Sequence, residues 1–358
     1  MKIILTGGGT AGHVLPNISL LPKLLQKNYK VYYIGSKNGI EKELILRQNI
    51  PYYPISSGKL RRYLSIKNIT DAFKVVIGIT DALVVIKKVK PDVVFSKGGF
   101  VAVPVVLAAK LTSVPVIIHE SDLTLGLANK ICAPIAKSIC VVFPETIDNM
   151  PKSQINKVTL TGSPIRSELF TGNPGRAQKL CNFNSISKPT ILVMGGSLGA
   201  VSINKCLRSC LTQLLLKYNI IHICGKNNVD NTINILGYMQ FEYLDTQMPD
   251  ILALADLIIS RAGSNSISEF LALKKPNLLI PLPLSSSRGD QILNARSFEN
   301  LGYSKVLPED KLSCGTLIQN INELYEQRQS YKQNMQKTKN YKAVDVIVQL
   351  IENLGEQG

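Results

Sequence analysis

The sequence predicts a doubly wound α/β protein built as two similar domains in tandem. Three observations carry this. Short β-branched runs alternate with helical stretches, the order that lays a parallel sheet between two layers of helices. The strand runs are almost unbroken in apolar residues, as strands buried on both faces are. A strand running into a glycine-rich loop occurs twice, at Gly7–Gly12 and Gly195–Gly199. At 358 residues the chain is also too long for one typical core.

In the first half the expected strands are Lys2–Thr6, Lys30–Gly35, Tyr52–Ile55, Val93–Ser96, Val114–Ile118 and Ser138–Val142, with helices such as Leu15–Gln26 and Ile66–Lys88 between them. A polar, proline-bounded stretch from Pro144 to Lys157 interrupts the rhythm. The short strand Lys157–Thr161 and Gly162-Ser163-Pro164 follow it, and the hinge is placed there. The expected domains are 1–163 and 164–340. Strands Thr190–Met194, Ile220–Cys224, Asn234–Leu236, Leu257–Ile259 and Asn277–Ile280 restart the pattern. Helices are expected near Ala200–Lys217, Ser266–Leu273, Gln291–Asn300 and Thr316–Gln327. The last segment, 341–358, is apolar at helical spacing over Ala343–Asn353, and is expected to pack back on the first domain.

Composition narrows the function. A 6% aromatic content without Trp argues against a nucleic-acid binder built on base stacking. The seven Cys form no C-x-x-C pair, and His13, His119 and His222 do not join them at ligand spacing, so no metal site is expected. No secretory leader is read at the N-terminus, and no apolar run is long enough to span a bilayer. Residues 1–163 hold 21 Lys and Arg against 9 Asp and Glu, whereas the remainder holds 20 against 16. The surplus in the first half suits an anionic partner, or serves solubility.

Six segments could carry chemistry. Thr6-Gly-Gly-Gly-Thr-Ala-Gly-His13 contains G-x-G-x-x-G between a strand and a helix, where backbone N–H groups meet anions. His13 just beyond it is a candidate base or phosphate contact, or a plain surface His. Ser96-Lys-Gly-Gly-Phe100 is a second strand-end turn, in which Lys97 could meet an anion. Ile118-His-Glu-Ser-Asp122 concentrates titratable groups at the carboxyl end of a strand, where such sheets bind ligands. Met194-Gly-Gly-Ser-Leu-Gly-Ala200 offers Ser197 and a helix start to a diphosphate. In Ser260-Arg-Ala-Gly-Ser-Asn-Ser-Ile-Ser-Glu269, Ser266 and Glu269 fit a capping box, and the same Glu could hold ribose hydroxyls. Finally, Gln291 and Asn294 share a helix face after a polar loop. The second strand runs into Gly35-Ser36-Lys37 without the acidic residue that an NAD site uses, which counts against a dehydrogenase. No D-x-D, H-E-x-x-H, G-x-S-x-G or P-loop motif occurs.

Taken in order, GGGTAGHVLP, SKGGF, HESD…GLANK, TGSPIR, GGSLGA, SRAGSNSISE and DQILNA resemble the MurG family of glycosyltransferases over nearly the whole chain. The resemblance implies the GT-B fold, two Rossmann-like doubly wound parallel-sheet domains facing a cleft. It implies an inverting, metal-independent transfer of N-acetylglucosamine from UDP-N-acetylglucosamine to undecaprenyl-pyrophosphoryl-MurNAc-pentapeptide (lipid I), giving lipid II, with no cofactor. By the same resemblance, Thr10, Ala11 and Gly12 line the cleft, and His13 and Glu120 are the acid–base candidates. Arg166 contacts the donor diphosphate. Ser197, Ser264, Asn265, Ser266 and Glu269 contact phosphate, uracil and ribose. Leu244 gives a backbone contact to uracil, and Gln291 contacts the sugar hydroxyls. The chain reads HESD where many members read HEQN, putting Asp122 in place of Asn, and Leu198 replaces a frequent Gln.

The implied acceptor explains the charge asymmetry. Lys59-Leu-Arg-Arg-Tyr-Leu-Ser-Ile-Lys67, followed by Phe73-Lys-Val-Val-Ile77, mixes cations with apolar residues. It is expected to dock on an anionic membrane surface, making the protein peripheral on the cytoplasmic side of the cell membrane, without nucleic-acid partners. The competing readings are another GT-B enzyme such as a diacylglycerol glucosyltransferase, a UDP-sugar epimerase, a dehydrogenase, and an inert peripheral membrane protein.

Overall fold

The computed structural model describes residues 1–58, 67–183, 188–196, 199–338 and 342–356. Two compact units divide the chain: Met1–Arg166 with Asn340–Gly358, and Ser167–Lys339. Each is a parallel sheet with helices on both faces, as the apolar strand runs require.

In the first unit the strands are β1 (Lys2–Thr6), β2 (Lys30–Ser36), β3 (Tyr52–Ile55), β4 (Val93–Ser96), β5 (Val116–Glu120), β6 (Ser138–Val141) and β7 (Val158–Leu160). Their spatial order is β3-β2-β1-β4-β5-β6-β7. The register runs Ile3↔Val31 on one side of β1 and Ile3↔Val93 on the other. The winding direction therefore reverses between β1 and β4. A crevice opens there at the carboxyl ends of the strands, because the connections leave toward opposite faces.

The second unit holds β8 (Thr190–Met194), β9 (Asn219–Ile223), β10 (Tyr238–Phe241), β11 (Leu257–Ser260), β12 (Asn277–Leu279) and β13 (Ser304–Val306), in the order β10-β9-β8-β11-β12-β13. Its reversal lies between β8 and β11. Two differences from the expected strands have physical causes. The strand expected at Asn234–Leu236 forms later, at Tyr238–Phe241. Gly237 turns the chain at φ +87°, and Leu236 before that turn is 86% exposed and adds nothing to the core. Tyr238 instead enters the core and its hydroxyl lies 2.8 Å from His222 Nδ1. The other, β13, is a three-residue strand with mixed polarity, which gave no run to recognise.

The helix Ala343–Gly355 is amphipathic and belongs to the first unit. Ile347, Val348 and Ile351 are buried in one cluster with Ile3, Leu5, Leu20, Leu24 and Phe95. Its rim pairs Lys23 with Asp345 at 2.5 Å and Lys27 with Glu352 at 2.6 Å. These exposed pairs add little, and the apolar stripe supplies the docking energy. Ile347→Ala is therefore expected to cost the first unit about 2–5 kcal/mol. Urea unfolding followed by circular dichroism measures it, and Asp345→Ala should change stability by less than about 1 kcal/mol.

Candidate active site

The described candidate residues fall at strand ends, on the loops that follow them and on the first turns of the next helices, and each unit holds its own set. In the first unit, β1 runs into Gly7–Gly9, and residues Ala11–His13 make a single 3-10 turn before the helix Leu15–Gln26. Tight packing explains the glycines. A Cβ on Gly7 would meet the His13 carbonyl at 2.5 Å, and one on Gly99 the Gly8 carbonyl at 2.2 Å. The loops after β1 and β4 thus touch backbone to backbone. Thr10 is exposed, and Ala11, Gly12 and His13 are half-buried.

His13 is held from the β4 side, where its Nδ1 lies 3.2 Å from the Lys97 carbonyl. A carbonyl can only accept, so the neutral ring carries its proton on Nδ1 and its lone pair on Nε2. His119 is different. It is fully buried, its Nε2 donates to the Gly162 carbonyl at 3.0 Å, and burial holds its pKa well below the usual histidine range. It is a neutral core residue.

Glu120 ends β5 and is buried. One oxygen accepts from the backbone N–H of Ser121 at 2.9 Å and of Asp122 at 3.1 Å. The other accepts from Gly126 N–H at 2.8 Å and Asn129 Nδ2 at 3.0 Å. Four donors fill the four lone-pair sites of a carboxylate. Burial, then the charge of Asp122, pushes its pKa up, while the bonds from Gly126 and Asn129 and the Lys97 ammonium pull it down.

Two buried charges complete this half. Glu41, which the sequence reading passed over, is fully buried. It accepts from Ser36 N–H and Oγ at 3.1 and 2.5 Å and from Gly9 N–H at 3.1 Å. An internal carboxylate thereby occupies the Gly9 amide. The nearest signal was an acidic residue five places beyond the end of β2. Lys97 is 1% exposed and donates to Ser121 Oγ. Burial pushes its pKa down to about 8, against the pull of Glu120, Asp122 and Cys140.

Arg166 closes the first unit instead of opening the second, and is half-buried. Among the outer features, the helix Lys67–Val89 exposes Phe73, Val76, Ile77 and Val84. Lys59, Arg61 and Arg62 lie outside the described residues. No helix among the described residues is long and apolar enough to cross a membrane.

In the second unit, Gly195 and Gly196 follow β8, and Ser197 and Leu198 lie outside the described residues. Gly199 has φ +77°, and a Cβ there would sit 2.1 Å from the Cys224 carbonyl. Helix Val201–Leu214 starts after Ala200, and helix Ser264–Ala272 after Gly263; neither start carries a side-chain cap. Both N-termini flank the reversal between β8 and β11, where their amides suit an anion. The capping box expected of Ser266 and Glu269 does not form as such, because the helix begins at Ser264 and Ser266 already lies inside it. Ser264 is buried, while Asn265, Ser266 and Glu269 are half-buried along its first turns. Arg261 points inward to the carbonyls of Ile280 and Pro281, to Glu309 at 2.5 Å and to Ser202 at 3.1 Å. It ties the loop after β11 to the helix after β8. Leu244 is buried in the loop after β10.

Gln291 braces two of these loops. Its Oε1 accepts from Ala262 N–H at 3.3 Å and Leu282 N–H at 3.1 Å. The carbonyl end is committed, so the amide presents its NH2, a donor, to any ligand.

Two doubly wound units with glycine loops and bare helix N-termini at their reversals define the GT-B class of glycosyltransferases. Family models agree. The glycosyltransferase family 28 N-terminal domain matches residues 3–141, and the family 28 C-terminal domain residues 190–350. The chain is 53% identical over 352 residues to the UDP-N-acetylglucosamine–N-acetylmuramyl-(pentapeptide) pyrophosphoryl-undecaprenol N-acetylglucosamine transferase of Clostridium novyi, covering 98% of both chains. It is 55% identical to the Clostridium tetani enzyme of the same name, over 98% of this chain and 97% of that one. A crystal structure of Acinetobacter baumannii MurG superposes with a TM-score of 0.76 at 27% identity, covering 98% of this chain and 99% of that one. UDP-GlcNAc 2-epimerase from Neisseria meningitidis shares the fold, with a TM-score of 0.70 at 16% identity over 99% of this chain and 100% of that one. The chain belongs to the MurG family within glycosyltransferase family 28.

The brace at Gln291 is testable by stability alone. Gln291→Leu leaves two loop N–H groups without their acceptor and should cost about 1–3 kcal/mol. Gln291→Glu keeps an acceptor for both and should cost clearly less. Equal losses in thermal unfolding of the two variants would contradict the brace.

Proposed function

We propose that the protein transfers N-acetylglucosamine from UDP-N-acetylglucosamine to undecaprenyl-pyrophosphoryl-MurNAc-pentapeptide, with inversion and without a metal or cofactor. Identity above 50% to enzymes of that name, over 98% of the chain, is the observation that carries this reading. The 4-hydroxyl of the acceptor sugar attacks the anomeric carbon, a C–O bond forms, the bond to the diphosphate breaks, and UDP leaves.

In this reading the second unit holds the donor. The N-termini of Val201–Leu214 and Ser264–Ala272 take the diphosphate with Ser264, where fixed dipoles favour the charge that develops on the leaving group, and the family resemblance adds Ser197 and Arg166 as diphosphate contacts. Asn265, Ser266 and Glu269 take ribose and phosphate, the backbone at Leu244 takes uracil, and Gln291 donates its amide hydrogens to a sugar hydroxyl. The first unit receives the acceptor along Thr10, Ala11 and Gly12.

His13 is the base in this reading. The Lys97 carbonyl holds the Nδ1 proton, a tautomer that puts the ring's basic lone pair on Nε2, and that atom takes the hydroxyl proton when the acceptor sugar is bound. Glu120, with its acceptor sites filled, holds the turn after β5. The test is turnover of labelled donor and lipid I, with and without chelator. Wild type should turn over equally in both. His13→Ala should lose about 10²–10⁴-fold in kcat, and folded Glu120→Gln should lose less. Near-normal turnover by His13→Ala at saturating substrate would remove the assignment.

The lipid-linked acceptor calls for a membrane surface. Phe73, Val76, Ile77 and Val84 lie near one face of a helix and follow the cationic stretch Lys59–Lys67 in the sequence, and together these supply apolar insertion and attraction to anionic lipid. Flotation with anionic vesicles should carry the wild-type protein upward. Phe73→Asp combined with Ile77→Asp, or charge reversal at Arg61, Arg62 and Lys67, should leave it at the bottom. Unchanged flotation of both variants would exclude this surface.

A further inference from the structure

We propose that Lys97 is a positioning residue for the transfer reaction, an internal cation that holds the turn after β5 in register with the His13 ring. The inference rests on the reading of His13 as the base.

Four contacts place Lys97 at the centre of the first unit's crevice. Its backbone N–H donates to the Thr6 carbonyl at 2.8 Å, which extends the pairing of β4 with β1. Its carbonyl faces His13 Nδ1. Its Cβ lies beneath Gly7, so close that a Cβ on Gly7 would sit 3.1 Å away. Its ammonium donates to Ser121 Oγ. One residue therefore connects the loop after β1, which carries the base, to the turn after β5, which carries Glu120 and Asp122.

The side chain does what no neutral residue could. The turn brings two acidic residues, Glu120 and Asp122, within two positions, at a crevice that must admit phosphorylated substrates. The groups facing the ammonium are His119 and Glu120 on β5, Asp122 just beyond it and Cys140 on β6. His119 stays neutral and Cys140 keeps its thiol, with a pKa raised to about 12 by burial. Lys97 is thus the cation that offsets the two carboxylates. A buried ammonium costs free energy to keep charged, and a plain βα loop has no use for that expense. The Gly9 amide is already taken by the Glu41 carboxylate, so the loop after β1 is held by an internal anion and the turn after β5 by an internal cation.

The charge gives the inference a readout that packing alone lacks. Burial lowers the Lys97 pKa from 10.5 to about 8. The ammonium is present below that pH and lost as pH rises through it, so kcat should fall along an alkaline limb near pH 8. Two variants test this. Lys97→Met keeps the length and removes the charge. It should lower kcat by about 10- to 100-fold at pH 7, leave KM for the UDP-sugar unchanged, and abolish the alkaline limb. Lys97→Arg keeps a charge that does not titrate in this range. It should retain more activity than Lys97→Met at pH 7 and show no limb below pH 9. Circular dichroism and thermal unfolding report folding of each variant. If Lys97→Met does not fold, the Lys97→Arg pH profile decides, and if neither folds, the wild-type profile does. An alkaline limb that persists near pH 8 in a folded variant, wild-type kcat in Lys97→Met, or a wild-type profile flat to pH 9.5 overturns the inference. Wild type without transferase activity on lipid I would instead overturn the proposed function, so the two failures are distinguishable.

Discussion

The loop that leaves the first strand of each sheet must pass very close to the backbone of a neighbouring strand's loop. In the first unit Gly99 lies against the Gly8 carbonyl, and in the second Gly199 lies against the Cys224 carbonyl. A side chain at either place would drive the strand-end loops apart. In the first unit this approach lies at the reversal between β1 and β4, and in the second it joins the loops after β8 and β9. The glycines are therefore needed first as packing residues, and their amides are then free to serve ligands or internal partners.

The two loops use that freedom differently. The first is closed from within, because Glu41 accepts from Gly9 and buttresses the end of β2. Tyr33 and Asn17 support it from below, with the Tyr33 hydroxyl donating to the Gly7 carbonyl at 2.7 Å. The second has no internal carboxylate on its described glycines, and its two helix starts lack side-chain caps. The same glycine pattern thus gives one loop closed by an internal carboxylate and another whose neighbouring helix starts carry no side-chain cap.

Buried ionic groups do most of this arranging. Glu41 and Arg261 each tie separate loops, the Lys97 ammonium reaches Ser121, Glu120 gathers the donors of its own turn, and each would be costly if left unpaired. Burying such groups contributes little net stability, since desolvation offsets the attraction. What they give is a single geometry for the loops. His119 and His222 make the opposite choice, staying neutral in the core, with the His222 pKa pushed down to about 3 by burial and the Arg208 charge.

Much of the fold was legible because it rests on local pattern. The β-branched runs at Lys2–Thr6, Val93–Ser96 and Thr190–Met194, and the glycines following them, are contiguous in the chain and report strand and loop without reference to anything distant. The strand at Tyr238–Phe241 was misplaced, since the apolar Ile235 and Leu236 imitate a strand and only the turn at Gly237 and the pairing with β9 decide otherwise. The sequence by itself determined two doubly wound units, the glycine-rich loops at their strand ends and the family to which the motifs point. Tertiary structure alone decided that Glu120 has no lone pair to spare, that Gln291 must offer a donor, that Glu41 occupies the first loop and that Lys97 joins two strand ends. Those facts depend on which groups converge in a buried place, from remote positions for Gln291, Glu41 and Lys97 and from the fold of one turn for Glu120. No run or spacing in a chain encodes that, because hydrogen-bond saturation and desolvation exist only once the surrounding surface has closed.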